Sequence, residues 1–236
     1  MNFNDLDFII YSSHKTSTQS LISILQKSNF KALHCHTIDN LKLSLNNPPT
    51  KNTFMQYLIN YKIANKKKLK IISCIRNPKN RLLSSFFQSF STDQIHFSKI
   101  NEKDTLISVK NEDELCVLFE KMIKNKNLPG MTESLDELSI ILDMNILEKL
   151  EKKKDYYYLE NDLVELFVLD FNRVINENVL NYLNTIMGLD LKIVSIDNLS
   201  INKHYYDKYQ NVKNKLGTKL DTIIENQYNT FYFTAF

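Results

Sequence analysis

Two short apolar runs most constrain what this chain can fold into: Leu6-Asp7-Phe8-Ile9-Ile10-Tyr11 and Leu69-Lys70-Ile71-Ile72-Ser73-Cys74-Ile75. Each is rich in β-branched or aromatic residues, too short for a typical helix and bounded by polar residues, as expected of a buried strand. Each then passes through a polar turn into an amphipathic stretch. Leu21, Ile22, Ile24 and Leu25 follow the first run, and Leu82, Leu83, Phe86, Phe87 and Phe90 follow the second. Strand, turn and helix repeated in this way imply a parallel sheet with right-handed crossovers. The expected fold is therefore α/β: one three-layer domain over residues 1–236, its central parallel sheet flanked by helices.

The remaining segments fit that frame. Lys31 to His36 reads as another strand, Phe54 to Ala64 as a helix, and Asn77-Pro78 as the cap and first residue of a third helix. Asn111 to Leu150 reads as mostly helical, broken at Leu128-Pro129-Gly130, and Tyr156–Leu159 and Glu165–Leu169 read as two further strands. Val174 to Met187 is amphipathic and closed by Gly188, and the stretch from Asn202 onward reads as helical with an apolar tail.

Composition narrows the class. With 43% hydrophobic and 24% charged residues the chain is globular rather than disordered. A net charge of +3 is too small to mark a nucleic-acid binder. The three cysteines, Cys35, Cys74 and Cys116, form no Cys-x-x-Cys pair, so neither a disulfide framework nor a zinc site is expected. Met1-Asn2-Phe3-Asn4-Asp5 has no basic start before its apolar run and no stretch has membrane-spanning length. A cytoplasmic location is expected, with peripheral membrane association left open. Only three of the 30 basic residues are Arg (Arg76, Arg81 and Arg173), and the first two lie within six residues. The planar fork of Arg matches phosphate in a way that Lys does not.

Two segments carry the chemistry. Ser12-Ser13-His14-Lys15-Thr16-Ser17-Thr18-Gln19-Ser20 joins the first strand to its helix. In a parallel sheet that turn lies at the carboxyl edge, where ligands bind, and the helix N-terminus behind it favours an anion. It lacks the Gly-x-x-x-x-Gly-Lys-[Ser/Thr] spacing of a Walker loop. The second segment is Arg76-Asn77-Pro78-Lys79-Asn80-Arg81-Leu82-Leu83-Ser84. It sets Arg76 at the tip of a buried strand and Ser84 two turns into the next helix. Arg81 is expected beside Ser84, opposite the Leu/Phe face.

Together the two motifs resemble the sulfotransferases that use 3′-phosphoadenosine 5′-phosphosulfate (PAPS), a family with a P-loop-like fold. The pattern is Lys-Thr-x-Thr, then Arg-x-Pro-x-x-Arg-x-x-Ser-x-Phe about sixty residues on. The resemblance is closest to a bacterial branch associated with capsular polysaccharide. That branch reads His-Lys-Thr-Gly-Thr-Thr-Ser-Leu where this chain has His14 to Leu21. Near its end it carries an Asn-Lys-Trp-Tyr-Ser stretch, to which Asn202-Lys203-His204-Tyr205-Tyr206 is similar. The first ninety or so residues match closely and the last forty loosely. The resemblance implies that Lys15, Thr16, Ser17, Thr18 and Gln19 hold the 5′-phosphosulfate and that Arg76 and Ser84 hold the 3′-phosphate. It also implies that Lys15 stabilises the leaving group and that no metal is needed. Ser17 replaces a family Gly, and Gln19 a Thr or Ser.

The implied transfer needs a general base to take the acceptor proton. His36, ending the second strand at the same sheet edge as Lys15, is the first choice. His34, His96, Asp136 and Glu137 are the rivals. The partners implied are the nucleotide sulfate donor and a glycan acceptor, with adenosine 3′,5′-bisphosphate as the spent donor. Two alternatives remain: a non-catalytic nucleotide- or glycan-binding module descended from such an enzyme, and a P-loop kinase-like phosphotransferase.

Overall fold

The elements run in the order β1 (Phe8–Tyr11), α1 (Thr18–Lys27), β2 (Ala32–Cys35), α2 (Lys51–Asn65), β3 (Leu69–Ile75), α3 (Pro78–Ser91), α4 (Glu112–Lys124), α5 (Ser134–Leu142) and α6 (Ile146–Lys149). They continue with β4 (Glu151–Lys152), β5 (Tyr156–Glu160), β6 (Val164–Asp170), α7 (Phe171–Val174), α8 (Val179–Met187), α9 (Tyr206–Leu216), α10 (Asp221–Glu225) and α11 (Phe231–Thr234). The computed structural model describes residues 2–13, 16, 18–37, 51–91, 110–126, 128, 131–174, 179–191 and 205–236. His14, Lys15, Ser17, His96, Asn202, Lys203 and His204 lie outside these described residues. The chain divides into two compact units: Met1–Arg76 with Thr132–Asp197 and Phe236, and Asn77–Met131 with Asn198–Ala235.

The first unit is built on a six-stranded sheet in the order β2-β1-β3-β6-β5-β4. The β2-β1, β1-β3 and β3-β6 pairs are parallel, and β5 and β4 complete the edge antiparallel. The α/β, three-layer architecture read from the sequence is the one observed. All four residues of β1 are buried, which explains the unbroken apolar run, because a strand covered on both faces has no need to alternate. Phe8, Ile10, Ile72, Cys74, Phe167 and Leu169 share one core with Leu21, Ile24 and Leu25 of α1 and Leu183 and Met187 of α8. On α2, Phe54, Leu58 and Tyr61 are fully buried, and the Tyr61 hydroxyl donates to the Leu6 carbonyl at 2.8 Å.

Local chemistry fixes the ends of these elements. Helix α1 ends with Asn29 in the left-handed region (φ 65°), and Phe30 N–H returns to the Leu25 carbonyl at 3.0 Å. Asn tolerates that conformation, so the chain reverses into β2 without a glycine. Between β5 and β6 the Asn161 side chain accepts from Leu163 N–H and Val164 N–H, at 2.8 and 2.9 Å. This side-chain turn makes the two tyrosine- and leucine-rich runs antiparallel neighbours. Tyr156 and Tyr158 pack on Phe167, so the tyrosine run serves the sheet.

The second unit is helical. Phe86 and Phe87 of α3, Phe119 of α4 and Tyr205, Tyr209 and Leu216 at α9 form its core. Helix α4 opens on a reciprocal capping box: Glu114 N–H donates to Asn111 at 3.0 Å and Asn111 N–H to Glu114 at 2.9 Å. Arg81 is 0% exposed, with its guanidinium carbon 5.9 Å from the centre of the Tyr228 ring. Leu82, Leu83, Ser85, Phe86 and Phe87 around it are also buried, while Ser84, three residues on, is half-buried. Among the described residues no helix is long and apolar enough to cross a membrane.

Candidate functional site

Strands β1 and β3 stop pairing before β1 ends. Their register runs Phe8↔Lys70, Ile9↔Ile71 and Ile10↔Ile72 and goes no further. Beyond it a side chain takes over the ladder's role. Ser12 Oγ accepts from Cys74 N–H at 2.9 Å and lies 2.9 Å from the Cys74 carbonyl, to which it can donate. On the other side, pairing of β1 with β2 reaches Tyr11↔Cys35 and is extended by Ser12 N–H to the Cys35 carbonyl at 3.2 Å. His36 Nδ1 then sits 2.8 Å from the Ser12 carbonyl. The chain visits β2 on one flank of β1 and β3 on the other, so Ser12 marks the switch point of the sheet. Ligands of open α/β sheets bind outside the carboxyl ends of the strands at that point.

Below the turn the hydroxyls are committed to the protein. Thr16 is 1% exposed, and its Oγ1 lies 2.6 Å from the Ser13 carbonyl and 2.7 Å from Ser12 Oγ. Ser13 donates to Glu133 Oε2 at 2.9 Å and accepts Ser134 N–H at 2.9 Å, while the Ser134 and Ser73 hydroxyls meet at 3.0 Å. These bonds tie the end of β1 to β3 and to the start of α5. Thr16 and Thr18 are both buried, so their contribution to an anion would come from backbone N–H groups near the positive end of α1. Gln19, by contrast, is exposed.

His36 is defined by its bond. A carbonyl oxygen only accepts, so Nδ1 carries the hydrogen and the neutral ring has its lone pair on Nε2. That is the tautomer a proton acceptor requires. His34, two residues earlier on the same strand face, meets the His36 ring at 4.4 Å between centroids with the planes at 86°. Burial, and secondarily the neighbouring His36, hold His34 down from 6.5 to about 4. Its Nε2 is buried with no hydrogen-bond partner among the described residues. His34 is thus neutral packing, whereas His36 keeps its place at the edge.

The depressed His34 pKa makes a stability prediction. The unfolded chain binds this proton from about pH 6.5 downward and the folded chain only near pH 4. The contribution is therefore complete above pH 6.5 and is lost as pH falls toward 4, by up to about 3 kcal/mol. Urea unfolding of wild type and His34→Phe at pH 7.5 and pH 4.5 should show a smaller acid loss in the variant. Parallel losses in the two proteins would show that His34 does not carry the effect.

Arg76 follows the last residue of β3, is half-buried, and holds its guanidinium carbon over the Phe171 ring, 4.3 Å from the ring centre. The structure brings Ser12, Thr16, Thr18, His36 and Arg76 to the carboxyl edge of adjacent parallel strands in one unit. Ser84 belongs to α3 in the other unit, where it is half-buried. A cavity of about 260 Å³ in that second unit is lined by Lys79, Lys213, Asp221 and Glu225 among others. Lys79 there is bound to Asp221 at 2.5 Å, so charges of both signs balance and the cavity is no phosphate cradle.

One prominent site residue escaped sequence reasoning. Glu133 is 3% exposed and bonded to Ser13, whereas the expected rivals lie on α5, Asp136 exposed and Glu137 half-buried. The only local signal was an acidic residue preceding a helix, and 120 residues separate Glu133 from Ser13. Among the described residues no three His, Cys, Asp or Glu side chains gather into a metal-ligand group. Comparison with protein-family models, curated proteins and solved structures gives no match to this chain.

Proposed function

We propose that the chain is a PAPS-dependent sulfotransferase whose acceptor is a hydroxyl or amine of a glycan, in the synthesis of a capsular or other surface polysaccharide. The observation that carries the reading is the His36 bond to Ser12 at the switch point, with Arg76 on the next strand tip but one along the sheet. A proton acceptor of the right tautomer and a guanidinium thus flank the turn that holds the Lys-Thr-x-Thr motif. The spacing of Arg76 and Ser84 and the N-terminus of α1 add to it.

In this reaction the acceptor oxygen attacks sulfur in line and forms the new S–O bond. The bond from sulfur to the 5′-phosphate oxygen breaks, and the leaving bisphosphate takes the electron pair. Lys15 would neutralise that growing charge, the kind of pre-placed electrostatic stabilisation that contributes most to such transfers. His36 Nε2 would take the acceptor proton. A second reading, a magnesium-dependent phosphotransferase, draws on the buried Glu133 carboxylate beside the turn.

Calorimetric titration separates them. The sulfotransferase reading expects micromolar binding of adenosine 3′,5′-bisphosphate, weakened at least 100-fold by Arg76→Ala on the scale of a lost charge-assisted phosphate contact. ADP with Mg²⁺ should not bind. Preferential binding of ADP·Mg²⁺ would favour the phosphotransferase. Bisphosphate binding without turnover on any glycan would indicate a binding module, and binding of neither nucleotide by folded protein would overturn both enzymatic readings.

A further inference from the structure

The cavity of the second unit has no role in donor binding. Its volume is about 260 Å³, under the roughly 300–1,000 Å³ of pockets for drug-sized ligands, so it takes a single small unit. It forms where Asn77-Pro78-Lys79-Asn80, at the start of α3, meets the corner between α9 and α10. Lys79 builds that meeting. Its ammonium is bound to Asp221 at 2.5 Å and also donates to the carbonyl of Gly217, the residue that closes α9. The Lys79 side chain is 17% exposed, so this pair is a fixed wall and not a solvated surface contact.

The lining is balanced in charge and rich in uncommitted hydrogen-bonding groups. Lys79 and Asp221 cancel, as do half-buried Lys213 and exposed Glu225, so an ion of either sign meets no net attraction. The Lys79 ammonium has three donors, of which two are committed. Asn77 Oδ1 accepts Lys79 N–H at 3.1 Å, which leaves its NH₂ group to the cavity. The half-buried Asn80 amide has no hydrogen-bond partner among the described residues and adds two donors and an acceptor. Beside these polar groups lies the half-buried, apolar ring of Phe233.

We propose that this cavity binds one neutral sugar residue of a glycan. The occupant must be small, uncharged, able to donate and accept at several points, and apolar on one face. A hydroxyl both donates and accepts, and a sugar ring carries several of them around its edge. Its C–H face can cover the Phe233 ring and remove apolar surface from water. A phosphate would use the donors alone, and a hydrocarbon only Phe233. Lys79 is tied to Asp221 and Gly217 before any ligand arrives, so little ordering of that wall is left to oppose binding. The inference rests on the glycan part of the proposed function and assigns a glycan subsite to the second unit.

The test is an NMR titration of the whole ¹⁵N-labelled chain to about 50 mM, a range suited to millimolar affinity. The probes are the methyl glycosides of glucose, galactose, mannose and N-acetylglucosamine, with glycerol, glycine and inorganic phosphate as controls. At least one glycoside should shift the Asn80 side-chain NH₂ and Phe233 amide signals saturably. Asn80→Ala and Phe233→Leu should each weaken that binding about tenfold, with the signals of α4 in place to show that the unit is folded. Absence of these shifts with all four glycosides overturns the proposal, as does unchanged affinity in both variants. An equal response to glycerol also overturns it, by showing a general polyol effect. A stronger response to glycine or phosphate does so by showing an ionic site. No nucleotide is present in these titrations. Glycoside binding by a chain that does not bind adenosine 3′,5′-bisphosphate therefore keeps the subsite and removes the sulfate donor, and the reverse result keeps the donor and removes the subsite.

Discussion

Replacing His36 by Ala should lower turnover by roughly 10²- to 10⁴-fold while leaving bisphosphate affinity within about threefold, the split expected of a proton acceptor that does not hold the donor. The Nδ1–H bond to the Ser12 carbonyl at 2.8 Å fixes the ring and places the basic lone pair on Nε2. It also raises a rival explanation, because the same bond helps to anchor the end of β1. His36→Gln separates the two, since a side-chain amide can still donate to Ser12 but cannot accept a proton at neutral pH. Equal losses in both variants assign the proton to His36. Recovery of turnover in His36→Gln would reassign His36 to anchoring and move the search for the base to Glu133.

Ser12→Ala is expected to cost about 3 kcal/mol of folding stability, an unusually large effect for the loss of one oxygen. Ser12 Oγ satisfies both the N–H and the carbonyl of Cys74 where β1 and β3 have separated, and it meets Thr16 Oγ1 at 2.7 Å. Ser12 and Cys74 are both buried, at 0% and 1% exposure, so solvent does not replace the missing partner. A buried polar group left unsatisfied costs roughly 1–3 kcal/mol, and Cys74 would present two. Urea denaturation with a wild-type slope and a lower midpoint checks this. A loss under about 0.5 kcal/mol would mean that Cys74 finds other partners, and that Ser12 does not hold the strands at the switch point.

Both predictions depend on partners that are distant in sequence. Ser12 and Cys74 are 62 positions apart and Ser13 and Glu133 are 120 apart, and no local pattern links either pair. Arg81 shows the same limit in reverse. Helical spacing correctly put it three residues from Ser84, yet spacing says nothing about what covers each face, and the surrounding side chains bury it.

Hydrophobic periodicity alone determined the strands β1 and β3, the helices that follow them and the α/β class, because burial on both faces forces an apolar run and burial on one face forces a helical stripe. Residue type and spacing also singled out the β1–α1 turn, Arg76 and His36 as candidate positions, since strand ends in a parallel sheet must share an edge. The tertiary structure decided the strand order β2-β1-β3-β6-β5-β4, the tautomer of His36, the neutrality of His34, the commitment of Ser12, Ser13 and Thr16 to the protein, and the buried carboxylate of Glu133. Each of these depends on which remote group lies within hydrogen-bonding or stacking distance, and only the closed packing of the chain fixes that.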